Sequence, residues 1–229
     1  MALAASTDPS FEPHAYTAMD QRSKYQTARN QVGRVLASLR RTEGDLPESA
    51  RGAAAELIAA EDAILARFEP LLTRRIDAKQ IRHHGDLHLR RVLFTGKDFV
   101  ILGVGGARDR RLSARRRKGG AFRDVASMLL SFHNVAATAL HALRPEDQSR
   151  AEAWGWIWQQ SASAAFLRGY LDTAEGAPFL PKSDATRSLL LETALLEKAF
   201  GELRTELRVR PEMAWVPMQA ILRTLRSRP

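Results

Sequence analysis

The sequence predicts a mainly α-helical fold, α+β overall, with one small β-hairpin. Long stretches on both sides of the chain's centre carry apolar residues at helical spacing. Between Lys79 and Gly103 the pattern changes to brief apolar runs separated by turn residues. Hydrophobic residues make up 45% of the 229 residues, so the chain can bury a sizeable core.

Two amphipathic helices are predicted before the β segment, behind an extended lead-in over residues 1–16. The first runs from about Met19 to Arg41, with an apolar face formed by Tyr25, Val32, Val35, Leu36 and Leu39. After Pro47, which a first helical turn tolerates, one long helix is predicted over residues 48–72. Its apolar stripe contains Leu57, Ile58, Ile64, Leu65 and Phe68.

The β structure is expected within Lys79–Gly103 and nowhere else. Three segments there are short and bounded by turn residues: "QIRHHG", "RVLFT" and "DFVIL". Thr95–Asp98, "TGKD", is a plausible tight turn between the second and the third. This pattern predicts a β-hairpin.

Helices are predicted again after residue 121. The stretches are "FRDVASMLLSFHNVAATALHAL", "AEAWGWIWQQSASAAFLRGYLDTA", "SDATRSLLLETALLEKAFGELRTELRV" and "RPEMAWVPMQAILRTLRSR". Asp124 is interpreted as the cap of the first, and Ser183 or Asp184 as the N-cap of the third. No internal repeat or linker interrupts the pattern, so residues 17–229 are predicted to form a single domain.

Composition excludes several classes of chemistry. The chain has no cysteine, which rules out disulfides and thiolate catalysis and fits a cytoplasmic protein. Its first residues lack the basic start and apolar stretch of a secretory signal, and no apolar run approaches the ~18 residues of a membrane span. We therefore expect no membrane partner.

The net charge is +9, and basic residues are concentrated in Arg108–Lys118. We interpret this run as a solvated loop, with binding of phosphates or an acidic partner as the alternative. The cations are not interleaved with aromatics as in RNA-binding surfaces, so nucleic-acid binding is only the third functional hypothesis.

The stretch His83–Ala107, "HHGDLHLRRVLFTGKDFVILGVGGA", has the order of a phosphotransferase loop. In phosphoryl transfer an Asp orients the acceptor hydroxyl and takes its proton. An amide oxygen a few residues later, and an Asp after the next hairpin, hold the Mg²⁺ that bridges the nucleotide phosphates.

Several segments in sequence order resemble one family. They are "RSKYQTARNQVGRVL", "LARFEPLLTRRIDAKQIRHHGDLHLRRVL", "DFVILGVGGA", "RRRKGGAFRDVASMLLSF", "AAFLRGYLDTAEGAPFLP" and "LLEKAFGELRTELRVRP". Together they resemble the C-terminal lobe of the bacterial maltokinases. These are aminoglycoside-phosphotransferase-like kinases, often fused to a trehalose synthase domain.

The resemblance implies the helical C-lobe of a protein-kinase-like fold, with the hairpin at the active-site face. It implies transfer of the ATP γ-phosphate, with Mg²⁺, to the anomeric hydroxyl of maltose, a reaction of trehalose and glycogen metabolism. It places Asp86 at the catalytic base, and His84 and His88 at the histidines that brace the loop. Metal binding by these two histidines is the alternative that we do not favour.

Four positions depart from the family pattern. Arg91 falls on the metal-binding amide, Gly103 on the metal-binding Asp, and Gly105 on a Glu, while Arg90 stands where a small Gly is usual. Gly103 offers no carboxylate, and the permanent cation of Arg91 repels Mg²⁺. We therefore expect no metal site and no usual clamp on ATP, and we interpret Gly103–Ala107 as a remnant of the family segment.

No Gly-rich turn between strands and no phosphate-binding Lys is recognisable before Ile81, so the N-lobe of the family is expected to be absent. Three hypotheses follow: a maltokinase-like lobe that is inactive alone, a pseudokinase or docking module for a kinase N-lobe or trehalose synthase domain, and the nucleic-acid binder. Maltose or a related sugar is the expected small ligand. Trp154, Trp156 and Trp158 are interpreted as core residues, with sugar stacking as the alternative, although all three cannot share one helix face.

Overall fold

The structure is a computed structural model that describes residues 11–103 and 117–227. The chain divides into two compact units. The first comprises Met1–Tyr16 and Asp77–Arg187, and the second comprises Thr17–Ile76 and Ser188–Pro229. All strands of the described residues belong to the first unit.

The second unit starts with helix α1, Ala18–Thr42, whose first turn is closed by a capping box. The Asp20 amide donates to Thr17 Oγ1 over 3.1 Å, and the Thr17 amide donates to Asp20 Oδ2 over 2.9 Å. Two N–H groups that an unsupported helix end would leave unpaired are thereby satisfied. Four members of the predicted apolar face are buried, and Tyr25 is half-buried; the buried ones are Val32, Val35, Leu36 and Leu39.

The expected single helix over 48–72 is wrong, because the segment is broken into three. Helices α2, Glu48–Ala59, α3, Glu61–Ala66, and α4, Pro70–Thr73, follow one another. Pro70 has no N–H to continue a helix, and its ring would clash with the carbonyl four residues earlier, at Ala66. Three residues of the predicted stripe are still buried: Leu57, Ile64 and Phe68.

Two further helices complete this unit, namely α7, Asp184–Val209, from Ser188 onward, and α8, Trp215–Arg226. Helix α8 packs on α2, and α2, α3 and α4 each pack on α1. Arg67, at the end of α3, connects α7 and α8. Its Nη1 donates to Glu192 Oε1 on α7 over 2.8 Å, and its Nη2 donates to the Leu225 carbonyl on α8 over 2.7 Å. Burial raises the pKa of Glu192, and Arg67 opposes that rise.

The first unit contains a three-stranded antiparallel sheet in the order β1–β2–β5. Its strands are β1, His14–Ala15, β2, Lys79–Ile81, and β5, Gly119–Gly120. The expectation that β structure is confined to Lys79–Gly103 is therefore wrong. Two-residue strands show no alternation in sequence, and they are strands here because both pair with β2.

The predicted hairpin is confirmed. It consists of β3, Val92–Phe94, and β4, Phe99–Ile101, which pair antiparallel with Phe94 opposite Phe99. The Thr95 amide donates to the Asp98 carbonyl over 2.9 Å, and Gly96 adopts a φ of +88°. The turn is therefore the tight one predicted from "TGKD".

Two helices pack against each other in the first unit: α5, Phe122–His141, and α6, Pro145–Thr173. Helix α5 buries ten residues, as its apolar sequence predicts, whereas α6 buries none over 29 residues. Within the described residues, every helix is too short or too polar to cross a membrane.

Candidate functional site

The loop between β2 and the hairpin is anchored on helix α5. The carboxylate of Asp124 accepts the His84 N–H over 2.5 Å and the Gly85 N–H over 2.8 Å. Gly85 has a φ of +82°, a left-handed conformation that glycine adopts without strain. The two bonds fix the direction in which the chain enters the loop.

The interpretation of Asp124 as a helix cap is wrong. The N-cap position of α5 is Ala121, which makes no side-chain capping bond, and Asp124 is the third residue of the helix, in its first turn. Both of its oxygens are used by the loop, so its role is to hold residues 84 and 85.

His84 is buried and connects the loop to the end of strand β4. Its Nε2 lies 2.9 Å from the Leu102 carbonyl, and its Nδ1 lies 3.2 Å from the Asp86 amide. Because a backbone amide can only donate, Nδ1 must be the acceptor. The ring proton is therefore on Nε2, which donates a hydrogen bond to the Leu102 carbonyl. These are the contacts that a bracing histidine requires.

Asp86, which the resemblance places at the catalytic base, faces two cationic or titratable side chains. Arg91 Nη2 donates to its Oδ2 over 2.7 Å, and His88 Nε2 lies 3.8 Å from its Oδ1. The Asp86 side chain is 19% exposed, and that of Arg91 is 33% exposed. The structure therefore brings the predicted residues 84, 86, 88 and 91 together around one partly buried carboxylate.

Gly103, the second position at which the resemblance predicts a metal ligand, lies against the same guanidinium. A Cβ atom at residue 103 would be 3.1 Å from Arg91 Nη1 and 3.5 Å from Arg91 Cζ. Gly103 also has a φ of +76°, so a side chain here would be strained as well as crowded. Arg91 and Gly103 therefore share one space beside Asp86.

The donor set does not fit a divalent ion. Magnesium needs oxygen ligands in an octahedral arrangement, and residues 91 and 103 supply a cation and a hydrogen atom instead. Across 11–103 and 117–227, no three His, Asp or Glu side chains are grouped so that they could hold a metal. The chemistry open to Asp86 is to accept hydrogen bonds, and one of its oxygens already does so from Arg91.

Ser131 is a site residue that sequence reasoning missed. Its hydroxyl accepts the Leu89 N–H over 2.9 Å and so holds the far end of the loop. Asp124 and Ser131 are seven residues apart, about two helical turns, and so lie on one face of helix α5. That polar pair at helical spacing was the available signal.

Tyr170 on α6 completes the surroundings of Asp124. Its hydroxyl donates to the Ala121 carbonyl over 3.3 Å. Burial raises the pKa of Tyr170 to about 12, and the negative charge of Asp124 adds to the rise. The phenol therefore remains neutral beside the anchor.

The hairpin next to the site exposes apolar side chains on both faces. Phe94 is 60% exposed and Phe99 is 66% exposed, with ring centroids 5.1 Å apart. Four more residues of this segment are also exposed: Leu93, Val100, Ile101 and Leu102. A two-stranded hairpin with no cover on either face is marginal in water.

The tryptophan cluster does not form a core. Trp154 is 72% exposed, Trp158 meets Phe132 edge-on at 6.2 Å, and Trp156 stacks on His133 at 5.4 Å. The expectation that the three cannot share one face is confirmed, and the interpretation of all three as core residues is wrong. Helix α6 has no fully buried residue, so the three indoles do not lie in an interior.

Two predicted features lie outside the described residues. Gly105, at the position of a family Glu, is one. The basic run Arg108–Lys118 is the other, except for its last two residues. Of these, Lys118 Nζ lies 3.0 Å from His14 Nε2.

No model of a known protein family matches the chain. Three solved structures of a glucosamine kinase match it in fold, with a TM-score of 0.72 and 18–19% sequence identity. One was solved with glucosamine, ADP and inorganic phosphate, and the others are crystal forms A and B. The match covers 93% of this chain and 45–47% of the kinase, so the chain spans about half the length of these structures. The predicted fold class is confirmed: the chain is a mainly helical kinase-like lobe with a small β-hairpin.

Proposed function

We propose that this chain is a maltokinase-like sugar phosphotransferase lobe that does not transfer phosphate on its own. Residues 17–229 form one domain of that kind, behind the lead-in 1–16, in a cytoplasmic protein of trehalose and glycogen metabolism. The family reaction would be transfer of the ATP γ-phosphate to the anomeric hydroxyl of maltose. The kinase-like fold and the loop around Asp86 support the phosphotransferase origin.

The observation that most supports a lack of phosphoryl-transfer activity is the 2.7 Å hydrogen bond from Arg91 Nη2 to Asp86 Oδ2. A general base must accept a hydrogen bond from the acceptor hydroxyl. Here Oδ2 of that carboxylate already accepts a hydrogen bond from a permanent cation, so a substrate hydroxyl would have to compete with Arg91 for it. The residues at positions 91 and 103 also lack the oxygen ligands that would position nucleotide phosphates.

The experiment is incubation of the purified chain with Mg-ATP and either maltose or glucosamine. Sugar phosphate is followed by ³¹P NMR. We expect none above a blank without protein. Turnover that Asp86→Asn abolishes, and that the neighbouring Arg90→Gln leaves intact, would contradict the proposal.

A second candidate, a docking module, is favoured by the exposed hairpin. Six apolar residues of one short segment are solvent-exposed, with Phe94 and Phe99 adjacent at the turn end. Contiguous apolar surface of this kind is typical of interaction sites. The partner would be a kinase N-lobe or a trehalose synthase domain, because the matched kinase structures are about twice the length of this chain.

Size-exclusion chromatography with a separately expressed N-lobe or trehalose synthase domain tests this second candidate. Co-elution that is lost in Phe94→Ser/Phe99→Ser would support it. Val209→Ser, which removes a 61% exposed apolar side chain on α7, is the matched control. If neither partner co-elutes, or the control loses the complex equally, the hairpin is not the docking surface.

A further inference from the structure

The backbone of Arg91 is held in place by two main-chain hydrogen bonds. The Arg91 amide donates to the His88 carbonyl, and the Leu102 amide donates to the Arg91 carbonyl, each over 2.8 Å. The next pair of residues, Val92 and Ile101, are partners in the hairpin. Arg91, just before β3, and Gly103, two residues after β4, are therefore held at the open end of the hairpin.

The guanidinium fills the space between Asp86 and Gly103. One nitrogen, Nη2, is 2.7 Å from the carboxylate. The other, Nη1, is 3.1 Å from where a Cβ of residue 103 would lie. Arg91 Nε is buried and has no hydrogen-bond partner, so the group is oriented by Asp86 and by packing against Gly103.

This arrangement excludes a second cation in two ways. Oδ2 of Asp86 is occupied, and a divalent ion at the same carboxylate would lie within a few ångströms of a like charge. Arginine remains protonated at any pH that a folded protein tolerates, so the exclusion is permanent. Conversely, a carboxylate side chain at residue 103 would have to displace the guanidinium.

We infer that Arg91 is a built-in cation that takes the place of a divalent metal ion at Asp86, and that Gly103 makes room for it. The two replacements are one coupled change, in which a soluble counter-ion is exchanged for a covalently attached one. The inference rests on the proposed function only for the choice of metal-ligand positions. Its geometry comes from the three residues themselves.

The test measures Mn²⁺ binding by electron paramagnetic resonance, without nucleotide or sugar, so its outcome is independent of phosphoryl transfer. The wild-type chain should show no Mn²⁺ site that depends on Asp86, so Asp86→Asn should leave its Mn²⁺ binding unchanged. The Arg91→Gln/Gly103→Asp variant supplies an amide oxygen and a carboxylate beside Asp86. It should bind at least tenfold more tightly than the wild type, and adding Asp86→Asn should abolish the gain.

A matched control separates a site from general electrostatics. Arg90→Gln/Gly96→Asp makes the same change in charge nearby, at an exposed arginine and at a turn glycine with open space around it. It should not gain the Asp86-dependent site. If circular dichroism shows that the double variant is unfolded, Arg91→Gln alone should still gain a weaker, Asp86-dependent affinity.

Two results would overturn the inference. One is a wild-type chain that binds Mn²⁺ through Asp86 with Arg91 in place. The other is a folded Arg91→Gln/Gly103→Asp variant that binds no better than the wild type or the charge-matched control.

Discussion

The guanidinium of Arg91 donates to Oδ2 of Asp86 over 2.7 Å, so the loop carboxylate is paired with a cation from its own chain. Both side chains are partly buried, which reduces screening by salt and water. In this kinase-like fold, the residue that we propose at the catalytic-base position is thus part of an internal ion pair.

This ion pair should contribute measurably to stability. In a double-mutant cycle, Asp86→Asn and Arg91→Gln should couple by about 1–2 kcal/mol in the free energy of unfolding, because the contact is charge-assisted and half-buried. Urea unfolding measures it. The exposed Arg90→Gln should couple with Asp86→Asn by less than about 0.5 kcal/mol; equal coupling of the two arginines would contradict the assignment.

Gly103 should tolerate a methyl group less well than Gly96. Both have positive φ values, +76° and +88°, but only Gly103 has a neighbour where the Cβ would be. We expect Gly96→Ala to cost about 1 kcal/mol from backbone strain alone, and Gly103→Ala to cost more. Thermal unfolding gives the difference, and Arg91→Ala should remove it; equal costs in the two glycines would mean that the guanidinium does not lie against residue 103.

Asp124 should be the anchor of the loop. Asp124→Ala leaves the His84 and Gly85 amides without their acceptor, so we expect a loss of about 2–4 kcal/mol and faster hydrogen exchange at these two amides. Asp184→Asn, at a 92% exposed side chain, is the control and should change stability by less than about 0.5 kcal/mol. Unchanged exchange at both amides in Asp124→Ala would exclude the anchoring role.

The raised pKa of Tyr170 predicts that the folded chain loses stability at high pH. Its pKa of about 12 in the folded chain lies above the value of about 10 for an unfolded one, so the unfolded state loses the proton first. Its contribution is complete below pH 10 and is lost as the pH rises toward 12. The change is roughly 2–3 kcal/mol, and Tyr170→Phe should flatten that part of the profile.

The phenolate absorbance gives a second measurement of the same effect. The chain has three tyrosines, and one should ionise about two pH units late until the chain unfolds. Tyr170→Phe should remove that late component. If Tyr170→Phe instead lowers the phenolate absorbance by the same fraction at every pH, no tyrosine ionises late, and the burial of this phenol is contradicted.

The sequence predicted the elements whose apolar residues recur at regular spacing or whose ends are marked by turn residues. Helix α1, helix α5 and the hairpin with its Thr95–Asp98 turn were found because apolar spacing and turn residues are local signals. The two-residue strands were missed because a strand of that length has no pattern and exists only through pairing with β2. The break in the second helix was also readable, since Pro70 excludes a continuous helix.

The candidate site was predicted in its membership but not in its contacts. Residues 84, 86, 88, 91 and 103 were assigned one by one from the family resemblance, and Arg91 and Gly103 were interpreted as two separate losses. That they occupy one space depends on the hairpin register, which pairs the backbone of Arg91 with that of Leu102 and leaves Gly103, the next residue, against the Arg91 side chain. The roles of Asp124 and Ser131 depend on the packing of helix α5 against the loop, which spacing along the chain does not give.

The most direct test of the account is isothermal titration of the wild-type chain with ADP, in Mg²⁺ and separately in EDTA. If Arg91 has replaced the metal, the dissociation constant for ADP should be the same in Mg²⁺ and in EDTA. This holds equally if the chain binds ADP weakly or not at all. An ADP dissociation constant that Mg²⁺ lowers tenfold or more, with the effect lost in Asp86→Asn, would contradict the central claim that this lobe has exchanged its metal site for an internal ion pair.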